Sequence, residues 1–434
     1  MTIKVKSEVL LKAATAALAA AAFVSFASTA MRAASARVWQ WSDSLSALRG
    51  GSPSLLSSMR GVTAARQTSY AAYSAFLPQF SASASAGRRD TAGIETDSYS
   101  TGITGTLSLF EGFADVRAAA LRKTDLSIAE IRYSRAESDA VYKLRVAFVE
   151  LLWAQKQLEL SSEILDRRLK NSELVRLKYE AGREDKGSYL RVDADRRQSE
   201  LELRRAERQA AVAATAFLAQ LGFSAREAPK PSAEGDFVLG ESPSEEPDFA
   251  ALAAETPEYL ESKKRLESAR LNAGVSHSRF WPQISASAAA GRSGAAYPPE
   301  EESRSASVNL SWRFFSGGAD LFNAMAARQA FLSRQDDLKA AGLDTALSVE
   351  SAWRDYRDAF ENVEVRMKYL DASMAQSEIV SARYLNGLAT YQEWYQVEND
   401  FISSKKSYLN AKRDAGLKEA VWKKTLGLGF KGLQ

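Results

Sequence analysis

Side chains with reactive chemistry are few in this 434-residue chain. It has no cysteine and one histidine, His277. Without thiols there is no disulfide framework, thiolate metal site, cysteine nucleophile or lipid-modified N-terminal cysteine. A single imidazole cannot supply the histidine pair of a zinc centre, and no Ser/His or Cys/His nucleophilic arrangement is evident around it. His277 falls on a predicted helix, where a solvated or interface histidine is the better reading than a metal ligand. The phosphate-cradling pattern GxxxxGK[ST] does not occur. The chain therefore does not read as an enzyme and calls for no cofactor and no metal. What remains is the chemistry of surfaces: hydroxyls and aromatic rings at regular spacing.

Residues 76–88 read FLPQFSASASAGR and residues 280–292 read FWPQISASAAAGR, identical at ten of thirteen positions. Each puts small apolar and hydroxyl side chains in strict alternation after an aromatic and a proline. In the first copy Phe80, Ala82, Ala84 and Ala86 form one side and Ser81, Ser83 and Ser85 the other. Alanine and serine are poor strand formers, so a flexible Ser/Ala linker fits each copy taken alone. The repetition decides for strands, because each copy is followed by a better strand. Tyr99, Thr101, Ile103, Leu107 and Leu109 oppose Ser98, Ser100, Thr104, Thr106 and Ser108. In the second copy Ala306, Val308, Leu310, Trp312 and Phe314 oppose Ser305, Ser307, Asn309, Ser311 and Arg313. Strands of about ten residues suit a tilted membrane crossing.

The elements that hold these strands are themselves duplicated. Phe110-Glu111-Gly112 matches Phe315-Ser316-Gly317, Phe148 matches Trp353, and Tyr179-x-x-Gly182 matches Tyr384-x-x-Gly387. One unit has been copied, which outweighs any estimate of domain number from length. Each copy reads helix, strand, strand, long helix, tight turn, return helix. The first repeat spans 37–223, with a hairpin about 80–111, a long helix about 114–180 and a return helix about 188–222. The second spans 257–428, with a hairpin about 283–315, a long helix about 319–384 and a return helix about 391–426. A Pro-, Ser- and Glu-rich linker, 224–256, separates them, and 429–434 is a short tail. The first long helix has neither proline nor glycine, and at ~1.5 Å per residue it measures on the order of 100 Å. Phe360, Val363, Met367, Leu370 and Met374 step by three and four along the second, a coiled-coil seam. Leu144, Phe148, Leu151, Leu158, Leu165 and Leu169 form a looser one. The architecture is mainly α with a small β part.

Aromatic residues gather where each hairpin begins and ends: Phe76, Phe80, Phe110 and Phe113, then Phe280, Trp281, Phe314 and Phe315. Rings held at one level mark a membrane–water boundary. The segments RRDTAGIETD (88–97) and RSGAAYPPEEES (292–303) are read as polar loops at the other end. Four strands cannot close a barrel, and open edges do not survive in lipid. Known membrane barrels start at about eight strands, so several copies must share one; three would give twelve strands.

Residues 1–36 have the pattern of an export signal. Lys4, Lys6 and Lys12 precede the apolar run Ala13 to Ala27, and Ala34-Ser35-Ala36, or Ser28-Thr29-Ala30, supplies a cleavage site. An uncleaved anchor is the alternative. Outside this segment 53 basic residues (57 − 4) face 53 acidic ones (54 − 1), so the remainder is neutral and points to no nucleic-acid partner.

The F-x-P-Q segments, Phe110-Glu111-Gly112, Phe315-Ser316-Gly317-Gly318, Tyr-Glu-Ala-Gly (179–182) and Tyr-Leu-Asn-Gly-Leu (384–388) together resemble the TolC-like outer membrane efflux proteins over residues 40–428. That resemblance implies a homotrimer with a 12-stranded outer-membrane barrel continued by a helical tunnel through the periplasm. It implies a passive exit duct for efflux or type I secretion, docked to a periplasmic adaptor and an inner-membrane pump. Matched by position, Tyr384 is the gate tyrosine and Glu393 an acidic gate residue. Gly182, Arg183, Gly387 and Leu388 lie at the turns that adaptors contact. Ala389 replaces the gate's usual basic residue and Gln396 a second acid, so a salt-bridged lock is not expected. Trp394 and Tyr395 are bulky enough to form an apolar plug instead. Three carboxylates converging in a pore would repel one another and favour cations; the alternative for Glu393 is a solvated helix-face charge. Phe80, Phe110, Phe113, Trp281, Phe314 and Phe315 are the expected membrane-interface aromatics. The contrasting function is a water-soluble periplasmic coiled-coil protein.

Overall fold

The computed structural model describes residues 38–91, 94–224, 231–240 and 245–430. The expected export signal and most of the tail lie outside them. In chain order the elements are β1 (Val38–Trp39), α1 (Trp41–Gly51), α2 (Pro53–Ala71), a 3-10 turn (Ala72–Phe76), β2 (Gln79–Thr91), β3 (Ile94–Glu111), α3 (Ala114–Glu180) and α4 (Lys186–Gln220). There follow β4 (Ser232–Ala233), α5 (Phe249–Glu255), α6 (Pro257–Ser278), β5 (Gln283–Gly294), β6 (Glu301–Ser311), α7 (Ala319–Leu385) and α8 (Tyr391–Thr425). They form two compact units that do not coincide with the sequence repeats. A strand-bearing unit takes 53–142, 242–357 and 420–434; a turn-bearing unit takes residues up to 52, 143–241 and 358–419. Helices α3, α7 and α8 contribute to both.

The strand-bearing unit contains one antiparallel sheet in the order β2-β3-β5-β6. Its register puts the alternating residues of all four strands on common faces. Ala82 pairs with Ile103, Ile103 with Ala290, and Ala286 with Val308. On the opposite face Ser85 pairs with Ser100 and Ser287 with Ser307, each pair joined by a 2.8 Å hydroxyl–hydroxyl hydrogen bond. Two strand expectations need correction. The register slips between Ser108 and Phe110, so a bulge at Leu109 turns Phe110, not Leu109, onto the face of Leu107; a bulge inserts one unpaired residue and re-aims the side chains beyond it. Strand β6 ends at Ser311 instead of about 315, and the Trp312 indole donates to the Phe280 carbonyl at 3.2 Å, closing the hairpin base. The segment 88–97 is also less of a loop than its polarity implies. Arg88 pairs with Asp97 and Arg89 with Thr96 across the ladder, because cross-strand charge and hydroxyl pairs stabilise a sheet extending beyond its apolar part.

The passage from sheet to long helix needs a sharp reversal. Gly112 has φ +61°, and a Cβ there would lie 2.5 Å from the Ser278 carbonyl oxygen. Phe113 comes next at φ +66°, a left-handed conformation that costs a non-glycine residue about 1–2 kcal/mol. Its ring packs edge-on against Phe110 at 5.3 Å. The counterpart pair in the second repeat, Gly317 and Gly318, avoids that cost. Trp353 is buried against Phe249 in the same unit.

In the turn-bearing unit the core is Leu144, Phe148, Leu151, Phe217 and Leu221, with Trp41 edge-on to Phe148 and Trp39 edge-on to Phe217. The expected linker 224–256 is partly structured. Strand β4 pairs in parallel with β1, and Arg145, buried beside Glu419, donates to the Phe237 carbonyl at 2.6 Å. Glu419 in turn accepts from the Leu239 amide. Buried charges demand such partners, and the extended chain supplies them. Further on, Asp248 caps α5 and Thr256 caps α6 ahead of Pro257.

Candidate functional site

Two surfaces carry the functional reading, one in each unit. In the strand-bearing unit neither face of the sheet is covered: on the apolar face Phe80 is 76%, Val308 69% and Leu310 66% exposed, and on the other Ser81, Ser85 and Asn309 are exposed. The lower-rim aromatics stand open too, with Trp281, Phe113, Phe314 and Phe315 exposed and Phe110 half-buried. Among the described residues β2 and β6 each have one neighbour, leaving two edges of unpaired backbone groups. The opposite face is lined by Ser81, Ser83, Ser85, Thr104, Thr106, Ser285, Ser287 and Asn309, a hydroxyl-rich surface without charge along its middle. A sheet with one apolar and one hydroxyl face, both open, can separate lipid from water but cannot stand alone in either.

In the turn-bearing unit the two helix-to-helix turns are built alike. Gly182 (φ +67°) and Gly387 (φ +75°) end α3 and α7 in the left-handed conformation. Their amides bond to Tyr179 and Tyr384, while the Arg183 and Leu388 amides reach back to Lys178 and Arg383. This paired pattern closes a helix C-terminus and leaves Gly182, Arg183, Gly387 and Leu388 at exposed tips.

Between the turns sits a small core of Val175, Val192, Tyr384 and Trp394, with Ala389, Tyr391 and Tyr395 packed against it. The Tyr384 ring stacks on Trp394 at 4.7 Å and 10°, and its hydroxyl donates to Glu184 at 2.8 Å. Lys178 lies 3.6 Å from the Tyr384 ring centre and donates to its carbonyl at 2.5 Å. Burial, then the adjacent Glu184 carboxylate, push the Tyr384 phenol far above its ordinary value, so it stays a neutral donor. The Tyr395 hydroxyl donates to Asp195 at 2.8 Å and accepts from Arg191 at 2.9 Å.

The expected gate residues are thus divided by their surroundings. Tyr384 and Trp394 meet, but inside one subunit; Trp394 is 3% exposed, with its indole donating to Ser381. It is therefore a rivet between helices, not a free plug. Glu393 is exposed and caps α8 reciprocally: its carboxylate accepts from the Thr390 amide and hydroxyl, and its amide bonds to the Thr390 hydroxyl. Those bonds hold the carboxyl below its ordinary range. Gln396 is exposed and bonded to Asp400. Ala389 joins the apolar cluster, so aromatic packing occupies the position where a basic residue was absent.

Sequence reading missed Glu184 and Lys178, the partners of Tyr384, because they lie some 200 residues away in a charged run with no pattern. It also missed Glu398, which is fully buried. Arg167 bonds it at 2.7 and 2.6 Å, Ser377 at 2.7 Å and Asn171 at 3.0 Å. An S/T-x-x-E pattern at Thr390–Glu393 could have revealed the capping role.

The model of the outer membrane efflux protein family matches residues 44–223 and 250–427. The chain belongs to the outer membrane efflux protein family. Solved structures agree on the fold. The CusC channel superposes with TM-score 0.81 at 15% identity, covering 92% of this chain and 96% of that one. The outer membrane protein VceC from Vibrio cholerae gives 0.78 at 17% identity (90% and 96%). The open-state MtrE outer membrane channel from Neisseria gonorrhoeae gives 0.77 at 16% (91% and 89%). Among curated protein sequences none matches. As an outer membrane efflux protein the chain is a channel of the outer membrane that extends into the periplasm and serves as an efflux exit duct. Its sheet contributes to the barrel, which a single subunit leaves open.

Proposed function

We propose that three copies close one 12-stranded barrel, that the helices form the periplasmic tunnel, and that the tip docks with a periplasmic adaptor and an inner-membrane pump. The observation that carries this is the sheet with two open edges and two uncovered faces. Strands β2 and β6 run in opposite directions, so β6 of one copy can pair with β2 of the next and keep the alternation, removing every edge. Exposed Met367 and Met374 on the α7 seam would pack against a sister helix. A water-soluble coiled-coil protein is disfavoured, since the apolar sheet face would be an unprotected aggregation surface.

The duct is passive. At its tip the Tyr384–Trp394 stack and the Tyr384–Glu184 bond hold the two turns together, and adaptor contact at Gly182, Arg183, Gly387 and Leu388 would work against them. The Glu393 carboxylates of three subunits would charge the mouth and prefer cations.

The test is the full chain purified in detergent. It should run as a denaturant-resistant trimer and give stepwise conductance in planar bilayers. Glu393→Gln preserves the helix cap, because glutamine serves that position as well, and should weaken cation preference. A monomer stable in aqueous buffer would contradict the duct, and an unchanged reversal potential would remove Glu393 from the filter.

A further inference from the structure

We propose that Arg88, Arg292 and Arg304 form a belt on the lipid-facing side of the barrel that holds the phosphate groups of anionic glycolipid in the outer leaflet. This rests on the barrel reading above. The register places all three arginines on the apolar face. Arg88 stands across from Asp97, Arg292 across from Glu302, and Arg304 across from Ala290, in the rows that also hold Phe80, Ile103 and Val308. Arg88 lies eight residues after Phe80 (88 − 80), and Arg292 eight after Ile284 (292 − 284). Arg304 precedes Trp312, at the hairpin base, by the same number (312 − 304). Each therefore lies eight residues along its strand from the hairpin base, where Ile284 stands across from Phe110, and Arg292 and Arg304 are two residues apart in register. Eight residues at ~3.3 Å, tilted by about 40°, rise ~20 Å, close to the ~25 Å apolar band of an outer-membrane barrel. A charge facing hydrocarbon is destabilising at mid-bilayer and nearly neutral at the boundary. The arginines consequently mark the outer boundary, where headgroups lie.

Their pairing shows which of them can bind. Arg88 is held by Asp97 through two hydrogen bonds, at 2.7 and 3.1 Å, and Arg292 by Glu302 at 2.6 Å. Arg304 reaches Glu302 only at 3.6 Å and is 81% exposed. That distance is beyond a hydrogen bond, so its guanidinium presents its fork of N–H donors outward. Phosphate accepts such a fork in bidentate fashion. Asp90, Glu95, Asp97 and Glu302 outnumber the three arginines on this face, so bulk positive charge does not supply the attraction. Recognition depends on directed donors, Arg304 foremost, with the carboxylates keeping Arg88 and Arg292 in place.

The experiment uses the assembled full chain in detergent micelles, incubated with a phosphorylated outer-leaflet glycolipid or with the same lipid enzymatically dephosphorylated. Retained lipid is counted by native mass spectrometry, and conductance is recorded on the same preparation. The wild type should retain the phosphorylated form about tenfold better, and Arg304→Gln should lose about the same factor, as expected for one charge-assisted bidentate contact. Arg304→Gln breaks no hydrogen bond within the subunit; should it nevertheless not assemble, the two-lipid comparison on wild type still decides. Equal retention of both lipids by a conducting wild-type channel overturns the belt and leaves the duct standing. Failure to form a conducting trimer overturns the barrel reading, and the belt falls with it.

Discussion

Tyr384 joins the two halves of the tip through separable parts: a ring that stacks on Trp394 and a hydroxyl that bonds to Glu184. Tyr384→Phe keeps the ring and removes the bond. It should cost about 1 kcal/mol of stability, the usual net worth of one hydrogen bond, while raising single-channel conductance or open time. Equal conductance of the two forms would show that the hydroxyl does not restrain the tip. The family resemblance singled out Tyr384 and Trp394 beside a glycine turn, but not that the two rings stack on each other. Whether they face the pore was not legible, because that depends on how α3, α4, α7 and α8 pack. Glu393 was read as a filter or a solvated charge, and the structure adds a capping role that either reading accommodates.

At the scale of elements, the long helices were legible nearly to their ends. Nothing in 114–180 breaks a helix, and Gly182 and Gly387 can take the left-handed closing conformation that most residues avoid. The strands were legible in their faces but not in their extent. Charged and hydroxyl pairs carry β2 and β3 beyond the apolar alternation, and the bulge at Leu109 is masked because Leu107, Leu109 and Phe110 are all apolar and either of the last two could continue the face. Helix α3 is joined to α7 and α8 within the turn-bearing unit by Arg167, Asn171, Ser377 and Glu398. Burial alone would raise the Glu398 pKa, but the bonds from Arg167, Ser377 and Asn171 outweigh it and hold the group below its ordinary range. A depressed carboxylate stabilises the folded state fully above its unfolded value, about 4.3. Its contribution is lost as pH falls from there through the lower folded value. Glu398→Ala should leave Arg167 poorly paired and cost roughly 2–4 kcal/mol at neutral pH. The gap from wild type should shrink on acidification below about pH 4. Thermal melts across that pH series decide it; a pH-independent difference would mean that Glu398 acts by packing alone.

At the scale of the whole molecule, the duplicated pattern revealed that strands and helices come in matched sets and that one copy cannot seal a barrel. The compact units, which combine parts of both repeats, were not legible, since periodicity along a chain carries no information about which helix ends meet. The central claim is that the hydroxyl face of the sheet lines water while the apolar face meets lipid. The absence of native cysteine permits a direct test with single-cysteine variants in reconstituted vesicles. Ser287→Cys and Val308→Cys stand on opposite faces of neighbouring strands, and a membrane-impermeant thiol reagent should label the first rapidly and the second at least about tenfold more slowly, because the thiolate forms readily only where water reaches it. Equal labelling of the two positions, or faster labelling at Val308→Cys, would contradict a barrel built from this sheet.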